Sequence, residues 1–540
     1  MRISEERPAA GVTEPTPGVY VIDFGQNLVG WVRLKLRGIA GQKVVIRHGE
    51  MLNPNGTVYT SNLRGAAATD EYWLKGQGEE ILEPQFTFHG FRYAQVTGLG
   101  AAPAPADAVA IVAGSALRRT GDFSCSNPLL NQLYRNIIWG QRGNYFEAPT
   151  DCPQRDERLG WTGDTQFFIP TAVYNFDVAS FIERCLVTIT DDQGPDGTFP
   201  DVAPATTHNP KAITAWGDAA IVCTHELWRT YGDTRVVQRR FDGLARYIGW
   251  LEVSAQKDIL AVGGYEDWLN QGGGADPLVI DTAYGAYLCG LMDDMARAIG
   301  RLPEAERFAA LRQKFADGFR DHFLLADGKI WNSSQTGFAL AFDLNLLPGA
   351  LREKAAAQFV ADVAAHNGHL ATGFIGTPRL LPALDVAGRD DVAYDVLLQD
   401  TYPSWLFQVK NGATTMWERW DGWTPDKGFE TIDMNSFNHY AFGAVGQFLY
   451  RQVLGIDTDG PGYRRIRISP RANRRLTEAH GSYEAVTGRI AVAWRIAGES
   501  FILEATLPPN TTGTVQMPSG QTYEIGSGTY RYQEPFKPSN

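Results

Sequence analysis

The densest group of potentially reactive side chains lies in the run DCPQRDERLGWTGD, from Asp151 to Asp164. This run contains four carboxylates and two arginines, together with Trp161 and two glycines. Pro153 disfavours helix at the residue before it, which predicts a loop between helices. Loops of this kind carry catalytic groups, and paired carboxylates are the side chains that general acid–base chemistry requires.

A second group lies between Gly412 and Trp423, where Glu418 and Asp421 are surrounded by three tryptophans. A carboxyl group among aromatic rings has a raised pKa because it loses hydration, whereas a neighbouring arginine such as Arg419 lowers it. Two carboxyl groups whose pKa values are pushed apart can supply one general acid and one general base.

Further acids stand next to tryptophans in Trp216-Gly217-Asp218 and Gly264-Tyr265-Glu266-Asp267-Trp268. Asp218 is equally well explained as an acid in the first turn of a helix, where the helix dipole favours it. Asp201 is interpreted as a turn residue. His439 either hydrogen-bonds a ligand or is a core histidine at the start of a helix.

No motif for a metal, a phosphate or a nucleophilic serine is recognisable. His225-Glu226 lacks the second histidine of a zinc-binding helix, and neither a glycine-rich phosphate loop nor a GxSxG turn is present. The five cysteines are odd in number and lack CxxC spacing, so we expect no disulfide or zinc framework. The sequence therefore predicts an enzyme that uses no metal and no cofactor.

Strands are predicted at both ends of the chain, where apolar and polar residues alternate with period two. The N-terminal examples are Val19–Ile22, Gly30–Leu36, Lys43–Arg47, Asp70–Leu74 and Phe91–Val96. The C-terminal examples are Arg465–Ile468, Ile490–Trp494 and Phe501–Ala505. Each region is predicted to be a β-sandwich.

Between these regions the apolar period changes to 3.6 residues, which indicates about twelve helices. They lie near 127–142, 165–174, 177–190, 216–231, 233–256, 277–299, 303–323, 335–345, 349–365, 378–386, 388–399 and 436–453. Twelve helices suggest six hairpins closed into a barrel. The predicted fold is multidomain α and β, with an N-terminal β-sandwich (1–117), a central (α/α)6 barrel (118–455) and a small C-terminal β-sandwich (456–540).

Charge and hydropathy exclude several classes of protein. The formal net charge is −12 and no basic stripe is visible, so we expect no nucleic-acid partner. The first 18 residues lack the apolar core of a signal peptide, and no apolar run is long enough to span a membrane. These features predict a cytoplasmic protein without a membrane partner, and a homodimer is the default expectation.

Three motifs resemble those of bacterial α-L-rhamnosidases, glycoside hydrolase family 78. They are Asp151–Asp164, Gly412–Asp421 and the run Asn435-Ser436-Phe437-Asn438-His439-Tyr440, and they occur in the family's order. Asp23–Trp31 and His48-Gly49-Glu50 look like parts of the family's concanavalin-type domain. The resemblance thus covers essentially the whole chain.

The resemblance implies an exo-acting hydrolase that releases terminal α-L-rhamnose with inversion of configuration. Such an enzyme needs one carboxyl group to protonate the leaving oxygen and another to activate a water. Glu418 fits the general base. Counting from Asp151 places Asp156 at the general acid, whereas counting back from Trp161 places Glu157 there; we favour Asp156.

The resemblance also implies a sugar pocket. Asp151 and Asp164 are expected to anchor rhamnose hydroxyls, unless they brace the loop through Arg155 or Arg158. Tryptophans are expected to form an apolar wall for the methyl group of the 6-deoxy sugar. The predicted substrate-binding residues are Asp151, Arg155, Trp161, Asp164, Trp216, Asp218, Glu266, Asp267, Trp268, Trp417, Trp420 and His439.

Two alternatives stay open. One is another (α/α)6-barrel glycosidase or a polysaccharide lyase, although a lyase usually needs a Tyr or His base, whereas these loops are rich in acids. The other is a catalytically silent carbohydrate-binding protein, which would not need a matched acid and base. The expected partner is a rhamnosylated small molecule or oligosaccharide.

Overall fold

The computed structural model describes residues 1–206 and 212–536. Its residues form two compact units. The first unit contains residues 1–116, 135–160 and 408–440, and the second contains 117–134, 161–407 and 441–540. The predicted domain boundaries after residues 117 and 455 stay predictions. In the part of the chain that the structure describes, no helix is long and apolar enough to cross a membrane.

The first unit is built on an antiparallel sheet. Its strands are β1 (Arg2–Pro8), β2 (Gly11–Thr16), β3 (Val19–Arg37), β4 (Lys43–Gly49), β5 (Thr69–Trp73), β6 (Glu79–Leu82), β7 (His89–Thr97) and β8 (Ala108–Gly114). The main order is β1-β8-β3-β7-β4-β5, and β2 and β6 also pair with β3. Ile22, Val44 and Phe91 are fully buried in its core, as their period-two pattern predicts.

One strand of this sheet differs from the prediction. Val19–Ile22 and Gly30–Leu36 belong to the single strand β3 of 19 residues rather than to two strands. The register against β7 shifts between Asp23 and Leu28, where Gly25 takes a positive φ of 72°. This irregularity interrupts the period-two pattern, and the sequence therefore reads as two strands.

The helices of the chain mostly lie where the 3.6-residue period predicts them. They are α1 (Pro128–Asn144), α2 (Thr162–Asn175), α3 (Ala179–Asp191), α4 (Ala219–Tyr231), α5 (Arg235–Gln238), α6 (Phe241–Ser254), α7 (Pro277–Ala298), α8 (Leu302–Phe323), α9 (Gln335–Asp343), α10 (Gly349–Ala365), α11 (Thr377–Val386), α12 (Asp390–Leu397), α13 (Trp405–Lys410) and α14 (Gly446–Phe448). Sequence analysis missed α13.

Two helix predictions are wrong in detail. The stretch 233–256 is divided into α5 and α6, because the Arg240 N–H bonds to the Val237 carbonyl in a tighter turn. The stretch 436–453 becomes helical only at Ala441, as a 3-10 turn, then α14, then a π-helical turn over Leu449–Leu454. The preceding residues, 436–440, bond outside any helix instead.

The strands of the second unit are β9 (Gly121–Cys125), β12 (Ile456–Thr458), β13 (Arg465–Ile468), β14 (Glu478–Ala485), β15 (Gly488–Ala497), β16 (Ser500–Leu507), β17 (Thr512–Gln516), β18 (Thr522–Ile525) and β19 (Gly528–Pro535). They form one sheet in the order β12-β13-β17-β18 and another in the order β19-β16-β15-β14-β9. The short strands β10 (Trp423–Thr424) and β11 (Gly428–Phe429) pair within the first unit. The C-terminal strands lie where the sequence predicts them.

Candidate active site

The first unit contains a buried arginine that binds three carboxylates. The Arg155 guanidinium donates to Glu418 through Nη1 at 2.6 Å and through Nη2 at 3.2 Å. Its Nε donates to Glu157 Oε2 at 2.9 Å, and Nη2 lies 3.3 Å from Asp151 Oδ2. We call Arg155, Asp151, Glu157 and Glu418 the Arg155 cluster. Charge-assisted bonds of this kind fix the positions of the acids.

The loop that carries three members of the cluster is closed by its own hydrogen bonds. The Asp151 N–H donates to the Leu159 carbonyl at 3.0 Å, and the Leu159 N–H donates back to Asp151 Oδ1 at 2.8 Å. Pro153 keeps the loop out of the helical conformation. Arg158 takes a positive φ of 46°. The loop is thus closed by one backbone bond and one bond to the Asp151 carboxylate rather than by a helix.

Glu418 is buried and is held from both sides. Ser436 N–H donates to its Oε2 at 2.8 Å, while the Glu418 N–H donates to the Ser436 carbonyl at 2.9 Å. Burial, the largest single influence, would raise the pKa of Glu418, but the charges of Arg155 and His439 and the hydrogen bonds from Arg155 and Ser436 together hold the pKa below its usual range. Glu418 is therefore ionised at neutral pH and can accept a proton.

Asp151 has the opposite electrostatics. Burial, followed by the negative charge of Glu157, raises the pKa of Asp151 to about 7. Ligand atoms of Asp151, Cys152 and Glu157 lie within 4.8 Å of one another. The cluster thus combines an ionised acid, Glu418, with a buried acid, Asp151, whose pKa is raised to about 7.

Glu157 and Asp156 take different positions. The Glu157 side chain is 14% exposed and lies between Arg155 and Arg64. It forms an ion pair with each of these arginines. The Asp156 side chain is 47% exposed and bonds to Arg64 at 3.2 Å and to the Gly65 N–H at 3.0 Å. Only Glu157 of this doublet belongs to the Arg155 cluster, whereas Asp156 is the residue favoured from the sequence, where counting allows either.

Glu50 is a positioning residue that sequence analysis quoted in a motif but gave no role. It is buried just after β4 and accepts hydrogen bonds from Asn27 Nδ2 at 2.9 Å, Asn62 Nδ2 at 3.2 Å and the Phe437 N–H at 3.1 Å. Burial raises the pKa of Glu50 to about 7. Phe437 directly follows Ser436, the residue that bonds Glu418. The signal for Glu50 is its place in the run His48-Gly49-Glu50.

Two predicted tryptophans of the first unit are core residues, and His439 is buried. Trp417 is 1% exposed and packs edge-on against Phe437 with ring centroids 5.1 Å apart. Trp420 is also 1% exposed, so neither ring has a face free for a sugar. Burial lowers the pKa of the His439 imidazole to about 4. The backbone N–H of His439 donates to the Met416 carbonyl. The predicted apolar wall therefore does not include Trp417 or Trp420.

The second unit brings three of the predicted tryptophans together around a tyrosine. Tyr265 meets Trp161, Trp216 and Trp268 edge-on, with ring centroids 5.7, 4.9 and 6.3 Å apart. Its hydroxyl donates to Asp201 at 2.6 Å. Sequence analysis gave Tyr265 no role and interpreted Asp201 as a turn residue. Trp268 is 37% exposed, so this aromatic group reaches the surface of the unit.

Asp267 is fully engaged by neutral donors. Its two oxygens accept from the N–H groups of Gly373, Ile375 and Gly376 at 2.8, 2.8 and 3.0 Å, and from the Thr336 hydroxyl. A Cβ at Gly373 would lie 2.2 Å from the Trp268 carbonyl, so only glycine fits there. Asp267 therefore braces this loop, and no oxygen is left for a sugar. Its neighbour Glu266 is exposed.

Asp218 and Asp164 both lie at the starts of helices. Asp218 precedes α4 and accepts from the Tyr247 hydroxyl at 2.6 Å and the Ala215 N–H at 2.5 Å. Burial raises the pKa of Asp218 to about 7. Asp164 is buried in the first turn of α2. Asp218 makes no capping bond to α4, and its role in substrate binding stays a prediction.

The comparisons with known families are consistent across the chain. Residues 118–453 match the profile of the bacterial alpha-L-rhamnosidase six-hairpin glycosidase domain. Residues 13–114 match the concanavalin-like domain of the same family, and residues 455–531 match its C-terminal domain. The chain belongs to the bacterial alpha-L-rhamnosidase family. It therefore combines an N-terminal β domain, a six-hairpin glycosidase domain and a C-terminal β domain.

Several members of the alpha-L-rhamnosidase family are similar over nearly the whole chain. An alpha-L-rhamnosidase of Streptomyces avermitilis is 43% identical over 551 residues, covering 98% of this chain and 53% of the relative. One from Formosa agariphila is 37% identical over 519 residues, covering 94% of this chain and 56% of the relative. The chain thus spans about half the length of these curated relatives.

Solved structures of the alpha-L-rhamnosidase family agree with this fold. The crystal structure of the Streptomyces avermitilis alpha-L-rhamnosidase complexed with L-rhamnose has a TM-score of 0.96 at 43% identity, covering 99% of this chain and 53% of that chain. The native enzyme of Aspergillus terreus has a TM-score of 0.94 at 34% identity, covering 98% of this chain and 64% of that chain.

Proposed function

We propose that this chain is an exo-acting glycoside hydrolase that releases terminal, non-reducing α-L-rhamnose with inversion of configuration. The observation that carries the proposal is the Arg155 cluster, in which one guanidinium binds an ionised acid, Glu418, together with Asp151, whose pKa is raised, and Glu157. The relatives named alpha-L-rhamnosidase, and the one complexed with L-rhamnose, support the choice of sugar.

Glu418 is the proposed general base. Its lowered pKa keeps it ionised, and the bonds from Arg155 and Ser436 fix its orientation. An ionised carboxylate in this position can take a proton from a water as that water attacks the anomeric carbon. The developing oxocarbenium charge is also stabilised by a negative group nearby.

Glu157 rather than Asp156 is the proposed general acid. Glu157 lies next to Asp151, whose pKa is raised to about 7, and Arg155 binds both acids. Asp151 is 2% exposed, whereas Glu157 is the member of the pair that reaches the surface. Asp156 is held by Arg64 and Gly65 outside the cluster. These contacts favour Glu157 for delivering the proton.

We also propose that the helices close into an (α/α)6 barrel and that the terminal sheets form β-sandwiches. The six-hairpin domain match and the order of the helices support this architecture. The aromatic group around Tyr265 is proposed to stack on a sugar ring through Trp268, since a half-exposed indole suits that contact.

The stereochemistry of the first product tests the proposal. Hydrolysis of p-nitrophenyl α-L-rhamnoside is followed by proton NMR before mutarotation, and we expect β-L-rhamnose to appear first. Initial α-L-rhamnose would overturn the inverting mechanism. No release, combined with cleavage of a uronide, would point to a lyase, and rhamnose binding without turnover would indicate a silent binding protein.

A further inference from the structure

Three potential metal ligands meet in the N-terminal sheet, apart from the Arg155 cluster. They are His48 on β4, Asp70 on β5 and His89 on β7, and one ligand atom of each lies within 4.8 Å of the others. The two imidazole rings are stacked, with centroids 4.0 Å apart and an angle of 18° between the planes. Three neighbouring strands therefore bring three potential ligand atoms close together, and small side-chain rotations would direct them at one ion.

The hydrogen bonds define the tautomer of His48. Its Nδ1 lies 3.1 Å from the Ala68 carbonyl oxygen, which can only accept, so Nδ1 carries the hydrogen. The lone pair of the neutral ring is then on Nε2. A histidine whose other nitrogen donates to a backbone carbonyl is the arrangement in which imidazole usually binds a metal.

The lone pair of His48 faces a carboxylate. His48 Nε2 lies 3.9 Å from Asp70 Oδ2, and His48 is fully buried. Among the described residues, no donor reaches this buried nitrogen. Two electron-rich atoms that face each other in a buried site repel, unless a cation lies between them.

His89 completes the group from the other side. Its Nε2 lies 3.1 and 3.2 Å from the two oxygens of Asp70. The side chain of Asp70 is 12% exposed, whereas His48 is fully buried, so an ion would enter past the carboxylate. Two imidazoles and one carboxylate are a donor set that zinc accepts in tetrahedral sites, with water as the fourth ligand.

We propose that His48 Nε2, His89 Nε2 and the Asp70 carboxylate bind one divalent zinc ion. On binding, the hydrogen of His89 Nε2 moves to Nδ1 or leaves to solvent, and the zinc replaces it beside Asp70. Because the ligands come from β4, β5 and β7, the ion would cross-link three strands of the sheet. Its role is structural, since none of its ligands belongs to the Arg155 cluster.

The direct test uses the whole chain after removal of metal with a chelator. Zinc chloride is titrated by calorimetry, and crystals soaked in zinc are measured at the zinc absorption edge. We expect one tight site per chain, an anomalous peak between the three side chains, and a thermal midpoint that rises with zinc. Crystals without a peak at this place would overturn the proposal.

Three variants locate the site. Asp70→Asn keeps the shape of the side chain and removes the charge, while His48→Asn and His89→Asn each remove a ligand nitrogen. We expect each to weaken zinc binding about tenfold or more, since perturbing even outer partners of a metal site costs that much. His322→Asn is the matched control, because His322 pairs with Asp258 at 3.3 Å outside any three-ligand group of the described residues.

The outcomes separate metal binding from damage to the fold. If a variant unfolds, its zinc affinity says nothing about the site. The proposal is then decided by the zinc-edge peak of the wild-type crystals. Unchanged zinc affinity in a folded Asp70→Asn and in a folded His89→Asn would overturn the proposal, as would an equal loss in His322→Asn. Rhamnoside hydrolysis by the zinc-loaded and metal-free chain should be the same at low temperature.

Discussion

The Arg155 cluster and the surroundings of Asp267 show two ways to bury a carboxylate. In the first, three acids share one guanidinium and one of them reaches the surface. In the second, a single acid accepts from three backbone N–H groups and one hydroxyl. Both arrangements compensate for lost hydration, but they do so with different partners.

The two arrangements differ in whether the carboxyl groups can still exchange protons. Neutral donors on both oxygens hold Asp267 in one position, so that its carboxylate stabilises the surrounding loop. A single cation shared among acids leaves their protons redistributable, because the carboxylates compete for the same positive charge. Crowded acids around one arginine are therefore the better sign of catalysis than burial or a raised pKa alone.

The strongest test of this distinction is Glu418→Gln. The amide keeps the size of the side chain but cannot take a proton from water, so we expect kcat to fall by about a thousandfold or more with KM little changed. Steady-state hydrolysis of p-nitrophenyl α-L-rhamnoside measures it. A loss of less than tenfold would show that the base is elsewhere.

The next largest effect is expected for Glu157→Gln. Losing the general acid should lower kcat by about a hundredfold on a rhamnoside with a poor leaving group, and by less on the p-nitrophenyl substrate, which needs little protonation. Asp156→Asn is the matched control and should change either rate by less than about threefold. The reverse ranking of the two variants would restore Asp156 as the acid.

Asp151→Asn tests the raised pKa in the cluster. The pKa of Asp151 is raised to about 7, so kcat/KM should decline as the pH rises through this value. Asparagine keeps the bond from the Leu159 N–H but does not release a proton, so we expect the decline near pH 7 to disappear from the pH profile of kcat/KM. A decline that persists at the same pH in the variant would show that another group titrates there.

Glu50→Gln tests positioning at a distance from the chemistry. The amide replaces an oxygen that accepts from Asn62 and the Phe437 N–H, so the segment that orients Glu418 should loosen. We expect kcat to fall about threefold to tenfold without a change in KM. Glu79→Gln is the matched control, because the Glu79 side chain is 42% exposed on β6 and should leave kcat unchanged.

The smallest effect on turnover is expected for Asp267→Asn. Its amide group would face backbone N–H donors, so the free energy of unfolding should fall by about 3 kcal/mol, measured by urea denaturation. In the folded variant, kcat and KM should stay within about twofold of the wild type. A large rise in KM with stability unchanged would instead support the sugar-binding role that the sequence resemblance implies.

Most elements of the fold could be predicted because the apolar period reports directly on burial. The exceptions arise where backbone bonds depend on distant residues. The segment before Ala441 reads as helix, yet Ser436 and His439 bond to Glu418 and Met416 instead. The division of 233–256 depends on a local turn at Arg240 that no period reveals.

The site could be predicted in part. The motifs located the acids of the Arg155 cluster, since reactive side chains are concentrated in them. Counting could not decide between Asp156 and Glu157, because the direction of adjacent side chains depends on Arg64, almost a hundred residues away in sequence. Nor could composition separate core tryptophans such as Trp417 from exposed ones such as Trp268.

The first compact unit has a consequence for how such proteins can be recombined. It joins the N-terminal sheet to residues 135–160 and 408–440, although two different family profiles meet between residues 114 and 118. Glu50 and Arg64 come from one side of that boundary, whereas Phe437, which Glu50 binds, and Asp156 and Glu157, which Arg64 binds, come from the other. A chimaera that exchanged only the N-terminal domain would inherit mismatched contacts. Shuffling succeeds only if all three segments descend from the same parent.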